Sequence, residues 1–199
     1  PAGLAKLMGG YDKFNAMLDS VFQLPPIFDH SYYGFTIHEI REMQIMNMGN
    51  YAHGNQPIQH MIYLYDYSGQ PWKAQYWVRE VMDRLYTAHP DGYCGDEDNG
   101  QMSAWYVFSA LGFYPLSPIS GEYAVGSPLF RQATLHLPNG KTIHIAAPQN
   151  SSTNIYVSQL LLNGQPYHSQ FVKHSEVMKG AKLEFKMRAE ENVPSIPHQ

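Results

Sequence analysis

The sequence predicts a mainly α-helical chain closed by an antiparallel β segment. Apolar residues recur at helical spacing in several stripes before position 113. The pattern changes after Pro115. Beyond it, apolar and polar residues alternate around two Asn-Gly pairs, the strongest short-range hairpin signal.

The chain is already in a helical pattern by Leu4. Phe14, Met17, Leu18 and Val21 recur at i, i+3, i+4 and i+7, which predicts an amphipathic helix over 11–23. Pro25 and Pro26 end it, since neither donates a backbone hydrogen bond. Residues 24–36 read as loop and 37–48 as a further helix. Ile58, Met61, Ile62 and Tyr65 form the next stripe, stopped by Gly69. Pro71 suits a first helical turn, and Val78, Val81, Met82 and Leu85 stripe a helix over 71–87. Residues 88–100 hold three Gly, one Pro and four acids, and read as loop. The run 102–113 is apolar on nearly every side, as expected of a helix buried all round.

After Pro115, Ala133, Leu135 and Leu137 alternate, Pro138-Asn139-Gly140 turns the chain, and Ile143, Ile145 and Ala147 alternate on the return. Asn163-Gly164 offers a second turn after Ile155 and Val157. Leu183, Phe185 and Met187 alternate once more. The expected division is helices over 1–118, β structure over 119–188 and a loose tail over 189–199, with no repeat at a fixed period.

Composition narrows the function. The 199 residues carry 13 Lys+Arg against 17 Asp+Glu, for a formal charge of −4. With no basic cluster there is no electrostatic footprint for a nucleic-acid partner. No apolar run is long enough to span a bilayer. Cys94 is the single cysteine, which excludes an intrachain disulfide and a thiolate metal cluster. The 15 Tyr, 9 Phe, 3 Trp and 10 His favour flat, hydroxyl-bearing ligands without marking a site. Pro1 starts no basic n-region and no apolar h-region, so a piece of a longer polypeptide is expected.

Two loops stand out, 49–60 and 91–101, and each precedes a helical segment, so both should lie at one edge. Asp96, Glu97 and Asp98 sit between Gly95 and Gly100. Adjacent acids repel, which should raise at least one pKa and suit it to acid–base work on water. Extended alternation would put Asp96 and Asp98 on one side and Glu97 on the other. The same acids could equally be a solvated loop capping the following helix. EF-hand spacing fails, because the turn Gly falls one place early and Val107 takes the twelfth position. Asn55, Gln56 and the acids could still offer hard oxygens to Ca2+ from two loops.

His53, His60 and His89 lie near these loops without zinc-protease spacing, and a lone His is more often structural. Cys94, Ser103 and Ser109 lack the local cues of a nucleophile. Asn150-Ser151-Ser152 matches a glycosylation acceptor. Trp72, Trp77 and Trp105 read as core rather than as sugar platforms.

Taken together, G-N-Q-P at 54–57, Y-L-Y-D-Y-S-G-Q-P-W-K at 63–73 and the long stretch P-D-G-Y-C-G-D-E-D-N-G-Q-M-S-A-W-Y-V-F-S-A-L-G-F-Y-P at 90–115 carry a resemblance. So do G-S-P-L-F at 126–130, L-P-N-G-K at 137–141 and L-N-G at 162–164. The chain resembles the C-terminal part of glycoside hydrolase family 92, the calcium-dependent exo-acting α-mannosidases. The resemblance implies the last helices of an (α/α)6 barrel followed by the closing β segment.

It also implies an inverting hydrolase acting on mannose-containing glycans, with α-1,2 linkages the first expectation. Asp98 would be the general base and Asp96 its partner. Ca2+ would bind the mannose O2 and O3 hydroxyls, with Asn55, Gln56 and Glu97 as this chain's contributions. His53, Asn55, Gln56, His60 and Gln101 would contact the sugar. Gln56 stands where most relatives carry Glu, which removes a charge and should weaken calcium binding. The general acid would lie upstream, in a preceding part of the polypeptide that this chain needs as its partner. The alternatives are a non-catalytic carbohydrate-binding or scaffold piece, or an inverting enzyme for another sugar. A periplasmic or secreted location follows from the resemblance only.

Overall fold

The structure, a computed structural model, describes residues 1–117 and 119–191. Pro118, at the expected division between helices and strands, and the expected tail from 192 on lie outside the described residues. Helix α1 (Ala2–Leu7) leads into α2 (Tyr11–Gln23) and, past Pro25 and Pro26, into α3 (His38–Met46). A 3-10 helix (Gln56–Tyr63) runs into α4 (Leu64–Tyr67), then come α5 (Pro71–Leu85) and α6 (Gln101–Leu111).

The stripe from Ile58 to Tyr65 is thus divided between two helix types. The indole N–H of Trp105 donates to the Gln59 carbonyl at 3.2 Å, an oxygen that a regular α-helix would give to its own fourth residue on. Trp105, Tyr51, Tyr63, Tyr65, Phe14, Leu18 and Ile62 are fully buried in the core these helices share. Trp77 joins it by stacking on Phe22 at 3.9 Å. Helix α6 departs from expectation: Met102, Trp105, Ser109 and Ala110 are buried, but Val107 on the other side is 55% exposed.

Strands β1 (Phe113–Ser117), β2 (Glu122–Val125) and β7 (Phe171–Lys173) make one sheet in the order β1-β2-β7. Pro115 fits inside β1 because β1 is an edge strand, where a missing N–H breaks no ladder. A second sheet orders β3 (Gln132–His136), β4 (Thr142–Ala146), β8 (Ala181–Arg188), β5 (Tyr156–Leu162) and β6 (Gln165–Tyr167) as β3-β4-β8-β5-β6. Both Asn-Gly turns close hairpins, β3–β4 and β5–β6. A short α7 (His174–Val177) lies between β7 and β8.

The expectation of a wholly antiparallel segment is corrected by β4 and β8, which run parallel with Ile143 opposite Ala181. Alternation shows which face of a strand is buried, but it carries no information on strand direction. Ile143, Ile145, Leu183 and Phe185 form the inner face of this mixed sheet.

Buried polar groups tie α5 to the loops around the strands and to β5. The Arg79 guanidinium donates to the Pro128 carbonyl at 2.9 Å, the Asn150 side-chain oxygen at 2.8 Å and the Ser151 carbonyl at 3.3 Å. The Val157 N–H donates to the Gln75 side-chain oxygen at 2.9 Å. Asn150 is itself buried, and its amide nitrogen donates to the Leu129 carbonyl. The Asn150-Ser151-Ser152 triplet therefore offers no accessible amide for glycosylation.

Asp66 on α4 is the costly residue of the core. It is 5% exposed, and neither carboxylate oxygen meets a donor among the described residues. Burial holds its carboxyl well above the usual carboxylate range. Its folded pKa is raised, so its contribution is complete below the unfolded value and is lost as pH rises toward the folded one. Asp66→Asn removes this ionisation. Between pH 4 and 8 the unsubstituted chain should lose stability relative to the variant by up to about 1.36 kcal/mol per pH unit. Urea unfolding of both proteins across that range measures it, and parallel pH profiles would contradict it.

Candidate active site

The two loops singled out in the sequence do meet. A methyl group built on Gly95 would lie 2.5 Å from the Gly54 Cα and 2.7 Å from the Gly54 carbonyl oxygen. One built on Gly54 would lie 2.8 Å from the Cys94 carbonyl oxygen. Only glycines allow so close an approach of two backbones. The Gln56 amide nitrogen then donates to the Asp96 carbonyl at 2.5 Å.

The acidic loop does not run extended. Asp98, Asn99 and Gly100 all have left-handed backbones, with φ of 50°, 57° and 97°. Asp and Asn tolerate this region better than other side chains with a Cβ, and such clustered strain is more often found at functional sites. The turn separates three roles. Asp96 is open, its side chain 74% exposed, with the His38 ring nitrogen 3.7 Å from its carboxylate. Asp98 stands exposed at the apex.

Glu97 turns back onto α6. Its carboxylate accepts from the Gly100 N–H at 2.6 Å, the Ser103 hydroxyl at 2.8 Å and the Ser103 N–H at 3.3 Å. These bonds satisfy orphan donors at the helix start. They also pull its pKa below the usual range, the Ser103 side chain contributing most. Glu97 thus follows the capping reading, and its charge goes down in pKa, where repulsion would have raised it.

The other expected residues are scattered in depth. Asn55 and His60 are exposed and Gln56 is half-buried. Gln101 is half-buried and turned inward, its amide donating to Gln59 at 3.2 Å and to the Tyr114 hydroxyl at 3.1 Å. His53 is fully buried, one ring nitrogen 2.8 Å from the Tyr51 hydroxyl and the other 2.8 Å from the Tyr86 hydroxyl. Burial lowers its pKa to about 3. With both nitrogens engaged and no exposure, His53 is a structural histidine here and cannot reach a sugar.

Residues on α3 were missed by sequence reasoning. The Glu42 carboxylate sits beside the Gly54–Gly95 contact, and His38 and Glu39 flank it. Desolvation raises the Glu42 pKa, with Asp96 and Glu39 adding to the rise and His38 opposing it. No spacing in the sequence tied α3 to the acidic loop. Asn47, in a left-handed conformation, ends α3, and the chain then passes the end of α2 at Val21 before Gly54 reaches Glu42. A cleft of about 450 Å3 is lined by Tyr86, His89, Tyr93 and Tyr106, and none of Asp96, Glu97 and Asp98 lines it.

Calcium can be tested against these donors. Glu97 does not fit, since its oxygens are committed to the helix start. Asn55 and Gln56 do fit as carbonyl donors: Gln56 uses its nitrogen toward Asp96 and keeps its oxygen. Among the described residues no group of three or more His, Cys, Asp or Glu could hold a metal. Asn55 and Gln56 would fill two places in a shell of six to eight oxygens, and further carbonyls, carboxylates or waters would have to fill the others.

A family model, the glycosyl hydrolase family 92 catalytic domain, matches residues 1–189. The chain is 55% identical to an inverting mannosidase of family GH92 from Bacteroides thetaiotaomicron VPI-5482, with a TM-score of 0.80. That match covers 96% of this chain and 26% of the other. A GH92 α-mannosidase from Bacteroides thetaiotaomicron in complex with mannoimidazole matches at 38% identity and a TM-score of 0.83, over 92% of this chain and 23% of that one. An uncharacterized secreted glycosidase of Arthroderma benhamiae is 26% identical over 192 residues, 95% of this chain and 22% of that protein. The chain thus spans about a quarter of the length of these relatives.

Proposed function

Because this chain belongs to glycosyl hydrolase family 92, we propose that it is the C-terminal part of an inverting exo-α-mannosidase acting on terminal mannose of glycans, α-1,2-linked in the first instance. The observation that carries this reading is the contact of the two loops, Gly54 on Gly95 and Gln56 on the Asp96 carbonyl, which joins the Asn55–Gln56 segment to the acidic loop that carries Asp98. Similarity to an inverting mannosidase supports the stereochemistry.

Inversion requires a carboxylate that activates water on one face of the sugar and an acid that protonates the leaving oxygen on the other. Asp98 takes the water's proton, and Asp96, with His38 at its side, keeps that face of the site negative. The acid comes from the rest of the polypeptide, which also completes the (α/α)6 barrel. Large apolar side chains support a missing covering: Leu7 is 87% exposed, Tyr32 90% and Ile45 83%. Calcium, when bound, would supply positive charge at the sugar hydroxyls, with Asn55 and Gln56 among its ligands. Export from the cell is part of the reading, in line with the secreted fungal relative.

The test is hydrolysis of α-1,2-mannobiose by the full-length protein, with and without EDTA. Release of β-mannose, lost with EDTA and restored by Ca2+, is expected. Full-length protein inactive on every α-mannoside would end the functional reading, and activity indifferent to EDTA would remove calcium from it.

A further inference from the structure

Trp72 contradicts the expectation that all three tryptophans belong to the core. It is half-buried, as Trp77 is, but it belongs to neither core cluster and no other aromatic ring packs against it among the described residues, whereas Trp77 and Trp105 both have ring partners. It sits in the first turn of α5, on the wall of a cleft of about 550 Å3 between that helix and strands β5 and β6. We propose that this cleft is a second carbohydrate-binding site, taking a neutral oligosaccharide against Trp72 at a distance from the acids.

The lining selects the ligand. Trp72, Gln75, Gln159, Tyr167, His168 and Gln170 supply its larger polar and aromatic groups, and the cleft has no Asp, Glu, Lys or Arg in its wall. Without a carboxylate, ammonium or guanidinium group it has no charged partner for an ionic ligand, which favours a neutral one. Amides, an imidazole and aromatic rings suit a ligand that is hydroxylated on its edges and apolar on its faces. The volume falls within the range of small-ligand sites.

The wall is also built in advance. Tyr167 is held by its hydroxyl, which donates to the Phe171 carbonyl at 3.0 Å, and Gln75 is fixed by the Val157 N–H. By contrast, the side chains of Gln159, His168 and Gln170 carry no hydrogen bond to another described residue, which leaves their polar atoms for a ligand.

Position separates this cleft from the candidate catalytic loops. Those loops precede the 3-10 helix and α6, at the end where α5 finishes at Leu85. The cleft is at the start of α5, where Pro71 lies 14 positions before Leu85, or about 21 Å along the helix axis. A glycan held here would be retained without touching Asp98. Binding is independent of turnover and can be measured without it.

Affinity electrophoresis of the full-length protein in gels containing yeast α-mannan, a neutral β-glucan or polygalacturonate tests this. Retardation by a neutral glycan and none by the anionic one is expected. Trp72→Ala should weaken retardation roughly threefold to tenfold, the scale of one aromatic contact, while Trp72→Tyr keeps most of it. Turnover of α-1,2-mannobiose by Trp72→Ala should match the unsubstituted enzyme. If Trp72→Ala does not fold, the paired exposed changes Gln159→Ala and His168→Ala are read in its place. No retardation by either neutral glycan, or retardation unchanged by these substitutions, overturns the proposal. An inactive enzyme that still loses retardation with Trp72→Ala would overturn the catalytic reading and leave this one standing.

Discussion

Asp98→Asn in the full-length protein is expected to lower kcat roughly 10²- to 10⁴-fold, the range lost with a positioned general base. The fold should be unaffected for a local reason. Asp98 has φ of 50°, and Asn adopts this left-handed backbone at least as readily as Asp. Its side chain is exposed, so the amide leaves no buried group without a partner. A loss of turnover with an unchanged circular dichroism spectrum and unfolding midpoint would therefore report chemistry. The companion change Asp96→Asn separates base from neighbour. It removes the negative charge facing His38 but leaves the backbone carbonyl that Gln56 uses, so a smaller fall in kcat is expected. Near-normal turnover by Asp98→Asn would move the base elsewhere, and Glu42 would be the next carboxyl to test.

Much of the fold was legible because its signals are local. Gly69 and Pro71 punctuate α4 and α5, and the two Asn-Gly pairs close the β3–β4 and β5–β6 hairpins. What escaped depends on residues far apart in the chain. The parallel pairing of β4 with β8 joins Ile143 to Ala181, and no local pattern encodes it. The 3-10 geometry of Gln56–Tyr63 follows from an indole 46 positions away. The open side of α6 has apolar residues where a buried helix was expected, as a partial body would show.

The candidate site divides in the same way. That loops 49–60 and 91–101 would lie at one edge was readable because each leads into a helical segment. Which acid does what was not. Glu97 differs from its neighbours only because Ser103 and Gly100 return to it through the first turn of α6. His53 looks like its exposed neighbour His60 in a loop motif, yet two tyrosines from separate parts of the chain enclose it. Glu42 carries no motif at all, and only the packing of α3 against the paired glycines brings it into the site.

Those paired glycines support the second large prediction. Gly95 does not have a positive φ, so its backbone would accept alanine without strain. The added methyl group would nevertheless meet Gly54 at 2.5 Å, against backbone that has no flexible side chain to yield. One loop must move, and overpacking of this kind costs about 1–3 kcal/mol. Displacement by about 1 Å between the Asn55–Gln56 segment and Asp98 should lower kcat/KM roughly 10²-fold. Gly54→Ala forces the same separation from the other side, so the double variant should lose less than the sum of the two. Gly3→Ala is the control, since nothing lies within 4 Å of a methyl group there and its backbone is unstrained. Steady-state kinetics on the full-length protein and urea midpoints for all four variants make the comparison. Gly95→Ala turning over like Gly3→Ala would mean that the contact between the two loops does not position the reacting groups.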